Sequence, residues 1–196
     1  PYDDFQGFVD YAKSHPNELN AGMPAAGANT FLFGKLCSVL GIELNKVECA
    51  SESDRLTNLA GGFIDICVVG LGNAQEYSKA GKLKVIGTVA GDGNNIDQYN
   101  AELPENYKTL QEQGFKDCYM LVYHYLMGPA GMDETIVKQM NAAMEEVVND
   151  PTVHDGIAGI GHIPGWHDLE ESEELHQKEY DELVNIAKNL GMYVQG

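Results

Sequence analysis

Asn20-Ala21-Gly22-Met23-Pro24-Ala25-Ala26-Gly27-Ala28-Asn29-Thr30, continued by Phe31-Leu32-Phe33, reads as the end of a strand, a loop of small residues and the start of a helix. Gly22, Pro24 and Gly27 punctuate a tight turn, and the alanines keep side chains out of its way. Asn29 and Thr30 are N-cap residue types. They place the helix start near Asn29 or Thr30 and turn free backbone N–H groups toward the mouth of the loop. Such a helix start attracts carboxylates and phosphates. The same residues also serve as a plain strand-to-helix turn, so the stretch has to be read with its surroundings.

Upstream, Asp3 to His15 has Phe5, Phe8, Val9 and Ala12 at helical spacing, with Asp3 or Asp4 as cap and Pro16 as terminator. Leu19 to Met23 is expected to be a strand, and Thr30 to Leu40 a helix stopped by Gly41. Lys46 to Cys49 is a second short strand. Ser51 opens a helix through Arg55, Leu56 and Leu59 that ends at Gly61-Gly62. Phe63-Ile64-Asp65-Ile66-Cys67-Val68-Val69 is nearly continuously apolar and β-rich, as a buried parallel strand should be. Asn73 to Ala80 is a helix and Leu83 to Ala90 a strand. This alternation predicts an α/β fold with a mostly parallel sheet. Past a polar stretch from Gly91 to Glu105, Tyr107 to Gln113 is a short helix closed by Gly114, and Cys118 to Met127 a long strand. The tail is helical from Asp133 to Asn149, after Pro151, and from Leu169 to Leu190. Its single strand has no sheet partner nearby, so it reads as part of a lobe whose other strands come from elsewhere.

At 196 residues the chain is long enough to bury a core, as one large domain or two small lobes. No run approaches a membrane span. A net charge of −18 argues against nucleic acid and anionic membranes as partners. An anionic ligand would have to be held by local dipoles, which act at short range while the diffuse charge is screened. Cys37, Cys49, Cys67 and Cys118 lie too far apart for a ligand motif, and Cys37 and Cys67 are expected to be buried free thiols.

No catalytic or metal motif is expected to operate. His154, His162, His167 and His176 crowd the last third at spacings that match no zinc motif, and they read as exposed histidines on an acidic surface. G-x-S-x-G, Walker A and G-x-G-x-x-G are absent, and no base stands in register with a cysteine nucleophile. Asp65, inside an apolar strand, is either a satisfied carboxylate at the sheet's edge, the favoured alternative, or a ligand contact. Arg55, the one arginine, can pair with Glu52 or Asp54 or meet a ligand.

Several segments, taken in order, resemble the solute receptors of tripartite tricarboxylate transporters, the TctC or Bug-type extracytoplasmic binding proteins. Phe8 to Gly22 resembles the lead into their second lobe, and the loop through Gly22, Pro24 and Gly27 their small-residue ligand loop. Leu59-Ala60-Gly61-Gly62-Phe63-Ile64-Asp65, Ala80-Gly81-Lys82-Leu83-Lys84 and Thr109-Leu110-Gln111-Glu112-Gln113-Gly114 are similar to later elements. So are Gly128-Pro129-Ala130-Gly131 and Asn149-Asp150-Pro151 with Gly161.

The resemblance implies a type II periplasmic-binding-protein fold. Residues 1–119 would form the whole second α/β lobe, and 120–196 the closing part of the first, a hinge strand plus helices. It implies a small organic carboxylate, such as a di- or tricarboxylate, gripped by closure of two lobes and handed to transporter membrane subunits outside the cytoplasm. No cofactor, metal or catalysis is implied. The contacts carried over are Pro24, Ala25, Ala26, Gly27, Ala28, Asn29 and Thr30, then Ser51, then Asp65 and Gly70. The pattern departs from the family at Cys49-Ala50-Ser51 (often Tyr-Lys-Gly), after the Leu83 strand, where the usual arginine is absent and Asn94-Asn95 stands nearby instead, and at Lys108 (usually Pro). Family members also carry an N-terminal segment with the first lobe's opening strands and one ligand loop, and this chain starts where the second lobe starts. The alternative expectation is therefore a truncated, non-transporting remnant that pairs with itself or with the missing segment, through an apolar edge on the Cys118 to Met127 strand.

Overall fold

The computed structural model describes residues 2–89, 107–120, 122–159 and 162–193. The chain divides into two compact units, Pro1–Val122 and Tyr123–Gly196. The first contains α1 (Phe5–Ser14), β1 (Asn20–Met23), α2 (Ala28–Leu40), β2 (Asn45–Glu48), α3 (Glu52–Ala60), β3 (Ile66–Cys67) and α4 (Leu71–Lys79). The second contains α5 (Glu134–Asn149), α6 (Pro151–Gly159) and α7 (Leu169–Asn189).

In the first unit the apolar stripe of α1, Phe5, Phe8, Val9 and Ala12, is buried as its spacing requires. The Asp4 carboxylate caps the helix by accepting from the Gly7 N–H. These residues join Ala21 and Met23 of β1, Leu32, Phe33 and Leu36 of α2, Ile42, Leu110 and Cys118 in one core. Each fully buried large side chain there contributes about 1.5–3 kcal/mol of transfer free energy.

The sheet is parallel in the order β2-β1-β3. Asn20 to Met23 pair with Asn45 to Glu48, and Ala21 and Gly22 pair with Ile66 and Cys67. β1 is therefore central, and its successor strands lie on either side of it. In parallel sheets wound this way, ligands bind outside the carboxyl ends of the strands, where the order reverses. Gly22 permits the close packing: a Cβ there would run into Ile64 Cδ1.

Several expected strands are shorter than their sequences suggested. Of Phe63 to Val69, only Ile66 and Cys67 enter the ladder. Phe63 is 73% exposed beside the glycines that end α3, and β1 is only four residues long. Leu83 to Ala90 reduces, in its described part, to a single bridge between Thr88 and Thr109. There the Gln113 side chain donates to the Ile86 carbonyl, where a neighbouring strand would have bonded.

Tyr107 to Gln113 forms successive turns instead of a helix, fastened by the Glu112 carboxylate, which accepts from both the N–H and the hydroxyl of Thr109. Cys118 to Met127 forms no regular strand among the described residues, because no described segment pairs with it. The polar stretch from Gly91 to Glu105 lies outside the described residues. All four cysteines are free, but Cys49 and Cys118 are the buried ones, while Cys37 and Cys67 are half-buried.

Candidate functional site

The loop after β1 opens directly into α2. The helix begins at Ala28 with Gly27 as its N-cap, so Asn29 and Thr30 fall inside the first turn instead of capping it. Gly27 has φ +124°, a conformation L side chains rarely adopt, and no atom lies within 4 Å of where its Cβ would be. Glycine is therefore required by the backbone, not by crowding. The two polar residues brace the loop. Thr30, buried, donates its hydroxyl to the Pro24 carbonyl at 2.7 Å, and Asn29 Nδ2 donates to the Val68 carbonyl at 3.4 Å. Lys46 Nζ, from β2, donates to the Ala25 carbonyl at 2.8 Å.

Helix geometry leaves the first N–H groups of α2 without intrahelical acceptors. No side chain among the described residues supplies one. The other helices differ. Asp4, Asp133, Asp150 and Asp168 each accept from a first-turn N–H of α1, α5, α6 and α7. Ser51 and Asp54 form a reciprocal capping box on α3, with the hydroxyl accepting from the Asp54 N–H and the carboxylate from the Ser51 N–H. These bonds from Ser51 hold the Asp54 carboxyl below its usual range. At α4, Gly70 offers no side chain, but the Glu52 carboxylate accepts from the Gly70 N–H at 3.2 Å and from Asn73 Nδ2. Among the seven helices of the described residues, only α2 and α4 have no side-chain cap, and at α4 the Glu52 carboxylate already stands on the N-cap N–H. With Lys46 beside it, this is a local positive field in a chain of net charge −18.

A polar network supports the mouth from below. Arg55 is buried and donates from Nε to the Val68 carbonyl at 3.1 Å, the same carbonyl that Asn29 reaches. Its guanidinium lies 3.9 Å from Glu52. Of the alternatives open to Arg55, the structure realises Glu52 together with a backbone carbonyl. The network runs from the α2 start through the end of β3 to α3 and α4, so the loops around the switch point are fastened to one another.

Nine of the ten expected contact residues, Pro24, Ala25, Ala26, Gly27, Ala28, Asn29, Thr30, Ser51 and Gly70, lie on loops and helix starts beyond the carboxyl ends of the strands. They are not equivalent. Ser51 is committed to its capping box and the Gly70 N–H to Glu52, whereas the α2 start is open. Asp65 does not join them. It precedes β3, at the amino end of the sheet, where its Oδ2 accepts from the Asn20 N–H at 2.8 Å and its carbonyl accepts from the Tyr2 hydroxyl. Burial, and then the Asp65 charge, push the Tyr2 phenol up to about 12. A shallow depression of about 420 Å³ beside α3 is lined by Glu48, Cys49, Ala50, Asp54, Thr57 and Asn58. Two carboxylates in its wall make it a poor seat for an anion.

The sequence reading missed Lys46, Glu52 and Asn73. Lys46 meets Ala25 across 21 residues, and no local spacing announces such a contact. The i, i+3 spacing of Glu52 and Arg55 was visible, but its extension to Gly70 and Asn73 was not.

The profile of the tripartite tricarboxylate transporter family receptor, TctC, matches residues 1–192. An Agrobacterium vitis relative, the UPF0065 protein in the TAR-I ttuE-ttuC' intergenic region, is 24% identical over 185 residues, which cover 94% of this chain and 51% of that protein. Among solved structures, an R. palustris protein with adipate superposes with a TM-score of 0.77 at 18% identity, covering 97% of this chain and 62% of the other. MatC from Rhodopseudomonas palustris with bound malate gives 0.65 at 20% identity, covering 96% and 62%. The α/β fold with its parallel sheet and flanking helices is that of these binding proteins. The chain spans about half the length of the A. vitis relative and less than two thirds of the solved ones. The chain belongs to the tripartite tricarboxylate transporter receptor family, TctC.

Proposed function

We propose that this chain is the carboxylate-gripping part of an extracytoplasmic solute receptor, and that it captures a small organic acid for a tripartite tricarboxylate-type transporter. The observation that carries the proposal is the α2 start: first-turn N–H groups without a side-chain acceptor, at the switch point of a parallel sheet, with Lys46 alongside. A carboxylate there takes the hydrogen bonds that aspartates take on four other helices. The adipate and malate of the two R. palustris structures are ligands of the class this mouth suits. The role is capture without chemistry, in the periplasm, with membrane subunits of the transporter as partners. Residues 1–119 act as the second lobe, 120–196 as the closing part of the first, and closure of lobes about a hinge retains the ligand.

Isothermal titration calorimetry with di- and tricarboxylates, adipate and malate included, tests the reading. Saturable binding that disappears when monocarboxylic amides replace the acids supports it, and silence across the panel overturns it. A second reading, a family fragment that pairs with another chain and captures nothing, draws on the exposure of Leu126 and Met127, 69% and 70%.

A further inference from the structure

The loops at the carboxyl edge of the sheet carry charge unevenly. On the β2 side of the central strand, Lys46 Nζ donates to the Ala25 carbonyl and sets a cation beside the α2 start. On the β3 side stands a carboxylate. Glu52, the first residue of α3, reaches across to α4: its Oε1 accepts from the Gly70 N–H at 3.2 Å and from Asn73 Nδ2, and its Oε2 lies 3.9 Å from the Arg55 guanidinium. Arg55 is in turn 6% exposed and anchored on the Val68 carbonyl. Three partners therefore fix the Glu52 carboxylate, yet 34% of its side chain stays exposed, so a held negative charge faces solvent at the mouth. Two connections place that charge beside the α2 start. β1 and β3 are paired neighbours, Gly22 opposite Cys67, at a strand spacing of about 4.8 Å. Asn29, in the first turn of α2, donates to the same Val68 carbonyl as Arg55, so one carbonyl and one guanidinium join α2 to Glu52. At this range solvent weakens a charge without removing it.

We propose that Glu52 is a specificity-determining residue of this mouth, and that it excludes acids whose second carboxylate lies close to the first. The inference rests on carboxylate capture at the α2 start. An acid held there by one end brings its nearest carbons toward the Glu52 charge. In malonate, where one carbon separates the carboxylates, the second then meets a like charge that its three partners keep from moving aside. In adipate, where four carbons separate them, the second carboxylate extends past it. Selection of this kind works by repulsion against the wrong ligand and leaves the grip on the first carboxylate unaltered.

The test is isothermal titration calorimetry of malonate and adipate, two dianions of different spacing, on the unaltered chain and on its Glu52→Gln and Glu18→Gln variants. Glu52→Gln keeps an oxygen to accept from Gly70 and Asn73 and removes the charge. Glu18→Gln removes an equal charge from an exposed position before β1, at the amino end of the sheet. The malonate-to-adipate Kd ratio is expected to fall by about three- to tenfold in Glu52→Gln and to stay unchanged in Glu18→Gln. In the unaltered chain, added salt screens the Glu52 charge and should lower the ratio too, which keeps the test open where Glu52→Gln does not fold. A ratio unmoved by Glu52→Gln, or by salt where that variant does not fold, overturns the proposal and leaves the carboxylate reading standing. So does a ratio that Glu18→Gln lowers as much. Heat from neither acid with any of the three proteins counts against the carboxylate reading itself and takes the proposal with it.

Discussion

The Lys46 ammonium donates to the Ala25 carbonyl at 2.8 Å, so a side chain from the edge strand β2 holds the loop that feeds α2. It does two things at once: it fixes the loop's path and sets a positive charge beside an open helix start. On the proposed reading both favour an anion. Lys46→Met keeps the aliphatic stem and removes the charge and the bond. It is expected to weaken carboxylate binding by about 1–2 kcal/mol, a five- to thirty-fold rise in Kd by calorimetry. The midpoint of thermal unfolding should hardly move, because Lys46 is exposed.

Gly27 is expected to tolerate no side chain. At φ +124° the cost of Gly27→Ala is backbone strain of about 1–3 kcal/mol, with no steric clash to relieve by repacking. Urea unfolding should record the loss. The comparison is Gly72→Ala, where a Cβ also meets nothing within 4 Å and no positive φ is present. That substitution lies within α4 and should be neutral or stabilising.

Arg55 is the buried tie of the network. Arg55→Met leaves the Val68 carbonyl short of a donor and Glu52 without its cation, for an expected loss of about 2–3 kcal/mol. Arg55→Lys should recover only part of it, since an ammonium cannot reproduce the guanidinium's separate reach to a carbonyl and a carboxylate. Chemical denaturation of the three proteins checks the order.

Asp65 separates structural from ligand roles. Asp65→Ala removes the acceptor for the Asn20 N–H and should cost about 1 kcal/mol of stability. Carboxylate affinity should stay within about twofold, because the residue sits at the other end of the sheet. Calorimetry showing an affinity loss above tenfold would instead make it a ligand contact.

The α3 capping box carries a pH signature. The Asp54 pKa is lowered in the folded chain, chiefly by the hydrogen bond with the Ser51 side chain. Its contribution to stability is therefore fully present above the ordinary carboxyl pKa of about 4 and is lost as pH falls through the lower folded value. Acid titration followed by NMR should show the Ser51 and Asp54 amide shifts moving together below about pH 4. Ser51→Ala should return the Asp54 titration toward the ordinary range.

Apart from Tyr107 to Gln113, which forms turns, the helices were legible from spacing and caps. The α1 stripe, the Ser51 start of α3 and the Gly41 stop of α2, which is left-handed at φ +63°, all follow local rules. The strands were overread. Phe63 to Val69 and Leu83 to Ala90 have the residue preferences of strands, but a strand exists only where a neighbour supplies hydrogen bonds, and that depends on distant sequence. The candidate site was legible in outline for the same reason. Gly27 and the small loop are local signals, whereas Lys46, Glu52 and Asn73 reach it from 18 to 21 residues away. The one error about the loop itself was the cap. Asn29 and Thr30 have the chemistry of N-caps, but the cap falls on Gly27, at positive φ, the helix starts at Ala28, and both side chains turn to bracing.

The glycine at the head of α2 makes any bound acid, on the proposed reading, a removable part of the secondary structure. The carboxylate group is then to α2 what Asp4 is to α1, a piece of the helix that arrives and departs with the solute. Such a part recognises the end of a molecule and is indifferent to its middle, so acids of different chain length can complete the same turn. Discrimination among them must then come from wherever the rest of the molecule lies, and a receptor built this way can change its cargo without rebuilding its grip.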